Sequence, residues 1–542
     1  MPKSMKAPIG IELVKHGVVT EEDINQALEY QKEHPKKKIG DIINILGLAN
    51  SRELIRVMGE VLGEKVMLLT KESLRITPTD YISIDIAKRC KAIPFDIKDG
   101  MVKVCFADTA NKAAIEQIRL IFLNRGLEVE KYLTFETNIE NVNTSLEGRA
   151  DEKIVTEGDI TGLVDTIIKS AIEKRASDIH IEPMEKEVRI RFRIDGELVI
   201  VGNIAKEKQS QLIGRLKAIS NMHQEKQESQ DGRINSYSGF NIRVSSQKNV
   251  NGEKFCLRML KRNGNIQKIS DLGFPDDEEY LKRMFDNRNS ITIVAAPTGE
   301  GKTTTLYSII DFLNSPEINI TTIEDPVELR VPGLNQIEIG GKITFADSLR
   351  TVLRQDPDIV LVGEIRDLET AEIALQAGQT GHYVLATIHT INAVEVITRL
   401  RKIGISDYDI SSTLATAVSQ RLIRRPCPHC LRKRKFEQKE IDVMNKIVEP
   451  YKIKLNFKDK FTYEINGCKK CNYTGYLGRL AAVEILGITP RIREMISNGE
   501  STYKITLAAV EDGYQPLVVD AIKKVVDGKL TLEEVNKKLA LF

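Results

Sequence analysis

The sequence predicts an α/β protein built of several domains, and three observations lead to this prediction. The chain has 542 residues, which is too long for a single hydrophobic core. Between Ser290 and Ile485, short apolar runs alternate with helix-forming segments, as in a largely parallel sheet. Upstream of that region, strict alternation of apolar and polar residues indicates a separate small α+β domain.

The charge balance, the apolar runs and the cysteine count limit the class of protein that this chain can be. Lysine plus arginine (79 residues) nearly balances aspartate plus glutamate (77), so the formal charge of +2 gives no global signature of nucleic-acid or membrane binding. No apolar run approaches the roughly 18 residues of a membrane span, and the N-terminus lacks the apolar core of a signal peptide. We therefore expect a cytoplasmic protein. Seven cysteines do not suggest a disulfide framework in a chain of this size.

The first 66 residues are predicted to form a helical repeat domain. Pro8–Gln31 aligns with Lys38–Val61 at an offset of thirty residues, with matching glycines and apolar positions. Each copy is typical of a short helix, a glycine stop and a second helix that begins after Thr20 or Asn50, both suitable N-caps. The simplest interpretation is a bundle of two αα-hairpins.

Residues 67–147 are predicted to form an α+β second part of the N-terminal region. Met101–Phe106 has the pattern of a strand, and Asn111–Leu123 that of a helix. We find no catalytic constellation in this part. The acidic and polar segment 148–158 is typical of a linker.

An arginine-bearing α+β domain is predicted over 159–271. It begins with the helix Ile160–Lys174, and the strand Val188–Leu198 follows with apolar residues on one face and arginines on the other. The arginines of this domain that alternate along predicted strands are Arg189, Arg191, Arg193, Arg233, Arg243 and Arg258. They form either a solvent-exposed face of the sheet or arginine fingers, which are side chains that neutralise the charge of a phosphoryl group.

A phosphate-binding loop is predicted between Ser290 and Leu306, with the sequence SITIVAAPTGEGKTTTL. A β-branched run feeds a glycine-containing turn, and Lys302 and Thr303 open a helical segment. In such loops backbone N–H groups cradle phosphate, the lysine reaches the β- and γ-phosphates, and the hydroxyl binds Mg²⁺. The predicted nucleotide-binding residues of the loop are Pro297, Thr298, Gly299, Glu300, Gly301, Lys302, Thr303 and Thr304.

Acidic residues follow two predicted strands downstream of the loop. Glu324 ends the run Ile318–Ile323 within TIEDPVE, and we expect it to orient or deprotonate the attacking water. Glu364 follows the run Ile359–Val362, where a carboxylate would hold Mg²⁺ directly or through water. The alternative for either acid alone is an ordinary N-cap or surface carboxylate. Asp325 and Glu328 are the other acids of TIEDPVE.

Two histidines bracket the next predicted strand, Tyr383–Ile388. Taken singly, His382 and His389 are each typical of a packed or exposed histidine with no catalytic or binding role. As a pair after the second acidic strand, they are candidates to sense the γ-phosphate. Their spacing is not that of a zinc pair. A less clear strand is predicted at Ala481–Ile485.

Four cysteines have the spacing of a structural zinc site. Cys427 and Cys430 form one C-x-x-C pair, and Cys468 and Cys471 form a second after 37 intervening residues. A redox dithiol is the alternative, but the glycine- and aromatic-rich second pair favours metal. We interpret His429 as a bystander. The predicted lobe spans about 425–480.

The phosphate-binding loop, TIEDPVE, DIVLVGEIRD and TGHYVLATIHT, together with the arginine domain, resemble the ATPases of type II secretion and type IV pilus assembly. The resemblance covers nearly the whole chain. It implies a RecA-like P-loop ATPase domain over 272–542, entered through a hinge near Asp271–Pro275, with the zinc lobe inserted near the C-terminus.

The resemblance also implies an assembly. In that family a homo-hexamer binds ATP and Mg²⁺ between the arginine-bearing and RecA-like domains, and hydrolysis turns an inner-membrane platform protein at the cytoplasmic face. Arg243 and Arg258 are our candidates for catalytic arginines, either within one chain or from a neighbouring subunit. The zinc lobe is typical of the extension and secretion members, so the resemblance implies an extension motor.

Two departures from the family pattern stand out. GPTGSGK carries glycine and serine where this chain has Ala296 and Glu300, and the usual Asn-Asp after His-Thr is Ile391-Asn392. Ala296 preserves the turn unless that position needs a positive φ. Glu300 adds a carboxylate near the phosphates, which we expect to slow turnover or to weaken ATP binding.

The N-terminal repeats resemble the paired motif of the cyclic-di-GMP-binding domain found on some of these ATPases. There each motif opens with arginine and closes with glutamine, and both ends contact the ligand. Here the motifs open with Pro8 and Lys38 and close with Gln31 and Val61. Three of the four ends differ, so cyclic-di-GMP binding stays an open alternative to a plain helical bundle.

Two other functions remain alternatives. A nucleic-acid motor is supported by a basic cluster comprising Arg421, Arg424, Arg425, Arg432, Lys433, Arg434 and Lys435. The neutral total charge and the lack of an aromatic and basic stacking stretch count against it, and we expect no nucleic-acid partner. The second alternative is a non-hydrolysing switch that reads a cyclic dinucleotide through the N-terminal repeats.

Overall fold

The computed structural model describes residues 9–541 except 36, 71–72, 152–159, 227, 238, 262–265, 286–287, 341–342, 466 and 473. The chain forms two compact units. Unit 1 comprises Met1–Lys153, Pro426–Lys435 and Tyr463–Leu477, and unit 2 comprises Ile154–Arg425, Phe436–Thr462 and Gly478–Phe542. Among the described helices, none combines the length and the apolar character needed to cross a membrane.

Unit 1 begins with the repeated helices. These are α1 (Ile9–Lys15), α2 (Glu21–Glu33), α3 (Ile39–Leu46) and α4 (Ser51–Leu62). The Thr20 side chain accepts a hydrogen bond from Asp23 N, and the Asn50 side chain accepts from Arg52 N, which confirms both predicted N-caps. Pro8, the predicted opener of the first motif, lies outside the described residues.

A small α+β layer continues unit 1. Its elements are α5 (Ile84–Cys90), β1 (Ala92–Lys98), β2 (Met101–Phe106), α6 (Lys112–Leu123), β3 (Glu128–Leu133) and α7 (Glu136–Asp151). The strand order is β1-β2-β3, antiparallel and then parallel. The prediction of a linker from residue 148 is wrong for its first four residues, because α7 continues to Asp151. Residues 152–158 of that linker lie outside the described residues.

Unit 2 opens with the arginine-bearing domain. Its elements are α8 (Ile160–Glu173), β4 (Asp178–Pro183), β5 (Glu187–Ile194), β6 (Glu197–Ala205), α9 (Gln209–Ile219), β7 (Gln230–Tyr237), β8 (Phe240–Asn249) and β9 (Gly252–Lys261). The sheet is antiparallel with the order β6-β5-β4-β9-β8-β7. Along β5 every second residue is buried, from Val188 to Ile194, so the predicted alternation is confirmed there. The prediction of one strand to Leu198 is wrong, because the chain turns at Asp195 and Gly196 and continues as the antiparallel β6.

The chain then enters the larger α/β domain of unit 2. Its elements up to the cysteine lobe are α10 (Glu278–Phe285), β10 (Ser290–Ala295), α11 (Lys302–Leu313), β11 (Ile320–Glu324), β12 (Asn335–Glu338), α12 (Phe345–Val352), β13 (Ile359–Val362), α13 (Leu368–Gln379), β14 (Tyr383–Ile388), α14 (Glu395–Ile403), α15 (Asp407–Thr413) and β15 (Leu414–Pro426).

After β15 the chain contributes two stretches to unit 1. These stretches carry β16 (Leu431–Arg434) and β17 (Thr462–Ile465), which pair as a two-stranded sheet, and α16 (Gln438–Val448) of unit 2 lies between them in sequence. The final elements are β18 (Tyr476–Gly487), α17 (Pro490–Ser497), α18 (Thr502–Glu511), α19 (Leu517–Val526) and α20 (Leu532–Leu539).

Seven strands form the main sheet, in the order β12-β11-β13-β14-β10-β15-β18. The first six pair in parallel, so their carboxyl ends share one edge. The bounds predicted for β13 and β14 are confirmed, and Ala481–Ile485 lies inside β18. The strand predicted at Ile318–Ile323 begins two residues later, at Ile320. The strands β12 and β15 were not predicted.

Candidate active site

The loop between β10 and α11 has the backbone of a tight phosphate cradle. Gly299 and Gly301 have φ angles of 80° and 84°, in the left-handed region that favours glycine. Ala296 is not among the described residues with positive φ and is fully buried, so its methyl group is accommodated in the turn. Lys302 is the first residue of α11, so the free N–H groups of the first helical turn adjoin the loop.

Lys302 is connected to Glu364 through His389. Its Nζ donates to Ala296 O at 2.7 Å and lies 3.2 Å from Nδ1 of His389. The other ring nitrogen, Nε2, lies 3.0 Å from Oε1 of Glu364. Burial lowers the pKa of Lys302, and the nearby negative charges of Glu364 and Glu300 oppose that shift. The ends of β13 and β14 are thereby joined to the phosphate-binding loop.

Glu364 is held as a carboxylate. Burial would raise its pKa, but a hydrogen bond from Arg366, 2.7 Å from Oε2, and the positive charges nearby lower the pKa overall. The side chain is 18% exposed, so the charge stands in a partly desolvated position. Such a group retains negative charge at neutral pH, as a magnesium ligand requires.

Glu324 is enclosed by polar neighbours. It is 3% exposed, and its carboxylate accepts hydrogen bonds from Tyr307 Oη at 2.5 Å and Thr322 Oγ1 at 2.6 Å. The side-chain amide of Gln336 donates from 3.3 Å. Burial, together with the negative charge of Glu324, raises the pKa of Tyr307, so the phenol stays a donor. The carboxylate therefore ties β11 to α11.

Glu328 occupies a different environment, four residues further along. Its carboxylate hydrogen-bonds the side chain of Thr303 and lies within electrostatic range of Arg243 and Arg258. The residue is open to solvent, but the protein atoms around it raise its pKa by desolvation. Thr303, Glu328 and the two candidate arginines are thus brought together at this point.

The arginines form a row across the antiparallel sheet. Arg233, Arg243 and Arg258 are cross-strand neighbours on β7, β8 and β9. Arg258 Nε lies 3.1 Å from Asp178, and Arg233 donates two hydrogen bonds of 3.0 Å to Glu338 at the end of β12. The contact between Arg233 and Glu338 links the arginine row to the edge of the main sheet where Glu324 and Glu364 lie.

A second set of arginines is bound elsewhere. Arg189 and Arg191 donate to the buried Glu182 at 2.9 and 2.6 Å, and Lys254 lies 3.2 Å from the same carboxylate. Burial alone would raise the pKa of Glu182, but hydrogen bonds from these cations lower it to about 2. These arginines stabilise a buried carboxylate within the sheet.

Two of the predicted residues differ from the expectation: His382 does not lie at the loop, and the carboxylate of Glu300, which is part of the loop, is bound by other elements. His382 precedes β14, at the edge of the sheet opposite the phosphate-binding loop, and its Nδ1 lies 3.1 Å from Ala377 O. Glu300 is 8% exposed, and both of its carboxylate oxygens are hydrogen-bonded, by Leu422 N at 2.6 Å and by Lys538 Nζ at 2.7 Å. Its carboxylate is therefore bound to β15 and α20.

The four predicted zinc ligands converge in unit 1. The Sγ atoms of Cys427, Cys430, Cys468 and Cys471 all lie within 4.8 Å of one another. Individual separations are 3.9 Å for Cys427–Cys468, 3.8 Å for Cys430–Cys471 and 3.7 Å for Cys468–Cys471. Zinc–thiolate bonds of about 2.3 Å in a tetrahedron place the sulfurs about 3.8 Å apart, so this donor set fits Zn²⁺. His429 is not part of the described cluster.

The cysteine lobe contacts the repeated helices within unit 1. Arg432 Nη1 donates to Asn44 O at 2.5 Å, and Ser51 Oγ lies 2.9 Å from Glu464 Oε1. Ser51 also donates to Asn44 Oδ1 at 2.7 Å. Because Asn44 and Ser51 are buried, these polar groups need partners, and the lobe supplies two of them.

Comparison with known proteins decides the family. The profile of the family described as type II/IV secretion system protein matches residues 154–537. The chain belongs to the type II/IV secretion system protein family. The match spans the whole arginine-bearing domain and nearly all of the larger α/β domain, and it confirms the resemblance seen in the motifs.

Individual members of this family align over most of the chain. The type IV pilus assembly ATPase PilB of Myxococcus xanthus is 32% identical over an alignment 564 positions long, covering 98% of each chain. The type II secretion system ATPase E of Vibrio cholerae is 36% identical over 431 residues, covering 78% of this chain and 82% of its own. The crystal structure of the ATPase DotB of Legionella pneumophila has a TM-score of 0.52 at 21% identity, covering 70% of this chain and 95% of its own, and shares the fold.

Within this family member, sequence reasoning singled out Glu324 and left Glu328 without a role. Both acids lie in TIEDPVE, and the motif alone does not say which one faces Thr303. Thr322 was a usable signal that Glu324 has a structural role. It lies two residues before Glu324, on the same face of a buried strand, and a buried polar side chain there needs a hydrogen-bond partner. Lys538 gave no sequence signal, since it lies 238 residues from Glu300.

Proposed function

We propose that this protein is a Mg²⁺-dependent ATPase that powers type IV pilus assembly or type II protein secretion. The observation that carries the proposal is the meeting of Lys302, His389 and Glu364 at the carboxyl edge of the parallel sheet, beside a glycine turn. The names of the two relatives, a pilus assembly ATPase and a secretion ATPase, support the same activity.

Phosphoryl transfer needs positioning and charge neutralisation more than covalent chemistry. Lys302 and the N-terminal N–H groups of α11 would bind the phosphates of ATP, and α11 keeps them at a fixed place on the sheet edge. Thr303 and Glu364 offer the oxygen ligands that Mg²⁺ prefers, and the bound ion would neutralise charge on the β- and γ-phosphates.

We assign the general-base role to Glu328 instead of Glu324. A base that activates water must be reached by water, and Glu328 is open to solvent whereas Glu324 is 3% exposed. The raised pKa of Glu328 makes it a better proton acceptor than an ordinary carboxylate. Glu324, with its three hydrogen-bond donors, would position the strand end from which Glu328 extends.

Arg243 and Arg258 are the arginines we propose for charge neutralisation. Both act electrostatically on Glu328, and Arg258 has a side chain that is 56% exposed, so it can reach a ligand. Arg189 and Arg191 already form ion pairs with Glu182, so we do not assign them this role. In a homo-hexamer, which we propose from the family, equivalent arginines of a neighbouring subunit could complete the site.

The remaining assignments follow from the family. We propose a RecA-like ATPase domain, a zinc-bearing lobe typical of extension and secretion motors, a cytoplasmic location and an inner-membrane platform protein as partner. Cyclic-di-GMP binding by the N-terminal repeats is kept as an alternative that a binding measurement decides. Of the four motif ends, Lys38 is paired with Asp108 at 3.0 Å and Gln31 donates to Lys37 O at 2.8 Å.

The structure weakens the case for a nucleic-acid motor. At least three of the seven members of the basic cluster are engaged within the protein. Arg421 Nη2 donates to Ile391 O at 2.7 Å, and Arg424 binds Glu534. Arg432 donates to Asn44 O. The ion pair neutralises Arg424, and the two other contacts hold Arg421 and Arg432 against the protein, which disfavours a nucleic-acid groove at these arginines.

Steady-state phosphate release tests the proposal. We expect ATP turnover that requires Mg²⁺, is unchanged by single- or double-stranded DNA, and rises when a candidate platform protein in detergent is added. Stimulation by DNA would favour a nucleic-acid motor. Tight ATP binding without phosphate release, in the presence of Mg²⁺, would favour the non-hydrolysing switch.

A further inference from the structure

The acidic residue inside the phosphate-binding loop has a dedicated counter-ion. Glu300 lies two residues before Lys302, and its side chain is 10% exposed. Its Oε1 lies 2.7 Å from Nζ of Lys538, which extends from the last turn of α20. The other oxygen, Oε2, accepts a hydrogen bond of 2.6 Å from the backbone of Leu422 on β15.

The backbone of the same loop residue is held as well. Glu300 O accepts a hydrogen bond of 2.6 Å from Nε2 of the buried Gln420. The amide oxygen of Gln420 in turn accepts from Thr305 Oγ1 at 2.7 Å, one turn into α11. Position 300 is therefore bound through its carbonyl and both carboxylate oxygens, so the loop conformation depends on β15 and α20.

The helix that supplies Lys538 is itself anchored to β15. Glu534 lies four residues before Lys538, on the same face of α20. Its buried carboxylate accepts a hydrogen bond of 2.7 Å from Arg424 Nε and a second one from Nη2. This two-point contact holds α20 against β15, so the backbone from which Lys538 extends toward Glu300 is fixed.

Charge explains why the counter-ion matters. Nucleotide phosphates bound at Lys302 would be strongly anionic, and a buried carboxylate two residues away repels them. Lys302 and Arg421 also interact electrostatically with Glu300, but Lys302 is needed by the phosphates, and Arg421 donates a hydrogen bond to Ile391 O. Lys538 forms the direct ion pair with Glu300.

We propose that Lys538 is a positioning residue of the nucleotide site, acting from the C-terminal helix through Glu300 to keep the phosphate-binding loop able to accept ATP. This role rests on the proposed ATPase function. It differs from the catalytic roles because Lys538 acts through Glu300, whose carboxylate lies 2.7 Å from its Nζ. It also explains how this chain carries glutamate at a position where the related loops have serine.

Three variants and two readouts test this role in the full-length protein. Lys538→Met leaves the buried carboxylate without its partner, so the KM for ATP and the Kd for a fluorescent ATP analogue should both rise about tenfold, with kcat changed less than about twofold. Glu300→Gln removes the charge that needs a partner. The double variant Glu300→Gln/Lys538→Met should therefore return KM and Kd to within about threefold of the wild type.

Lys537→Met is the matched control. Its lysine is adjacent on α20 and forms an exposed pair with Glu197 at 2.8 Å, with both side chains about half exposed. We expect its KM and Kd to stay within about twofold of the wild type. Circular dichroism of all variants checks that α20 remains folded.

The outcomes separate this role from the proposed function. If the wild type hydrolyses ATP and Lys538→Met has unchanged KM and Kd, Lys538 has no positioning role. The same conclusion follows if Glu300→Gln fails to rescue the double variant. If the wild type binds the analogue and the Lys538 effect on Kd is present without any hydrolysis, the proposed function fails alone. A wild type that neither binds nor hydrolyses nucleotide overturns both.

Discussion

His389 Nε2 lies 3.0 Å from Oε1 of Glu364, while the opposite ring nitrogen faces the ammonium of Lys302. The imidazole thus spans the distance between the loop lysine and the acid that follows β13. A change in the charge near Lys302 would therefore reach Glu364 through one side chain. We propose that His389 responds to the γ-phosphate through these two contacts.

Replacing His389 tests this connection. In His389→Ala, Lys302 and Glu364 lose their shared partner, and kcat should fall by a factor of about 10 to 100, as expected for loss of a hydrogen bond to a charged group. His382→Ala is the control, because His382 lies at the opposite edge of the sheet and should retain near wild-type turnover. Equal losses in both variants would contradict a specific role for His389.

The two acids of TIEDPVE should respond differently to amide substitution. Glu328→Gln removes the proposed base and should lower kcat by about 10² to 10⁴ with ATP affinity nearly unchanged. Tyr307 and Thr322 donate to different oxygens of Glu324, so Glu324→Gln keeps one of these hydrogen bonds. It also leaves the proposed base in place, so its kcat should fall less. Phosphate-release kinetics and equilibrium ATP binding separate the two effects. A full loss of turnover in Glu324→Gln with an active Glu328→Gln would reverse the assignment.

Zinc removal should loosen the cysteine lobe and its contact with the repeated helices. We expect one zinc per chain, and we expect faster amide hydrogen exchange around Asn44 and Ser51 after chelation or in Cys468→Ser, because the lobe places their partners Arg432 and Glu464.

Cys256→Ser is the control for the zinc experiment, because this half-buried cysteine of β9 lies outside the four-cysteine cluster. The variant should keep its zinc and the wild-type exchange rates. A protein that holds no zinc, or that loses it without a change in exchange near Ser51, would contradict the predicted coupling.

Asp41 should make the stability of unit 1 depend on pH. Burial raises the pKa of Asp41 to about 6, and the Glu136 N–H bond of 2.8 Å only partly offsets this. The folded unit then binds more protons than the unfolded chain between about pH 4 and 6, so its free energy of unfolding should fall as pH rises through that range.

Asp41→Asn keeps an oxygen for the Glu136 amide and removes the titrating charge. Its gain in stability over the wild type should be greatest at pH 8, up to about 3 kcal/mol, and should shrink toward pH 4. The urea midpoint of unit 1, followed by pulse proteolysis, measures it. A difference that stays constant from pH 4 to 8 would mean that the Asp41 charge is not the cause.

The strands that sequence predicted well are those buried on both faces. Ile359–Val362 and Tyr383–Ile388 are continuous apolar runs with charged or polar flanks, so their bounds are visible without tertiary information. β15 was missed because it contains Thr416, Ser419 and Gln420, which are polar yet buried. Such residues are buried only because distant groups bind them, as Thr305 binds Gln420.

The site residues likewise divide into those that local sequence places and those that distant packing places. The loop lysine and the acids after strands could be predicted because local order places them at one sheet edge. The choice between Glu324 and Glu328 depends on the path of the chain after β11, and the partner of Glu300 depends on a helix at the far end of the sequence. These long-range relations are set by packing, which a single sequence does not display.

The most direct test of the central claim is Mg²⁺-dependent phosphate release by the zinc-loaded, full-length protein, compared with Lys302→Ala. The account predicts steady ATP turnover that stops when Mg²⁺ is chelated and is lost, together with ATP binding, in Lys302→Ala. Turnover that persists in Lys302→Ala, or a wild type that releases no phosphate from ATP with Mg²⁺ and a membrane platform partner present, would contradict it.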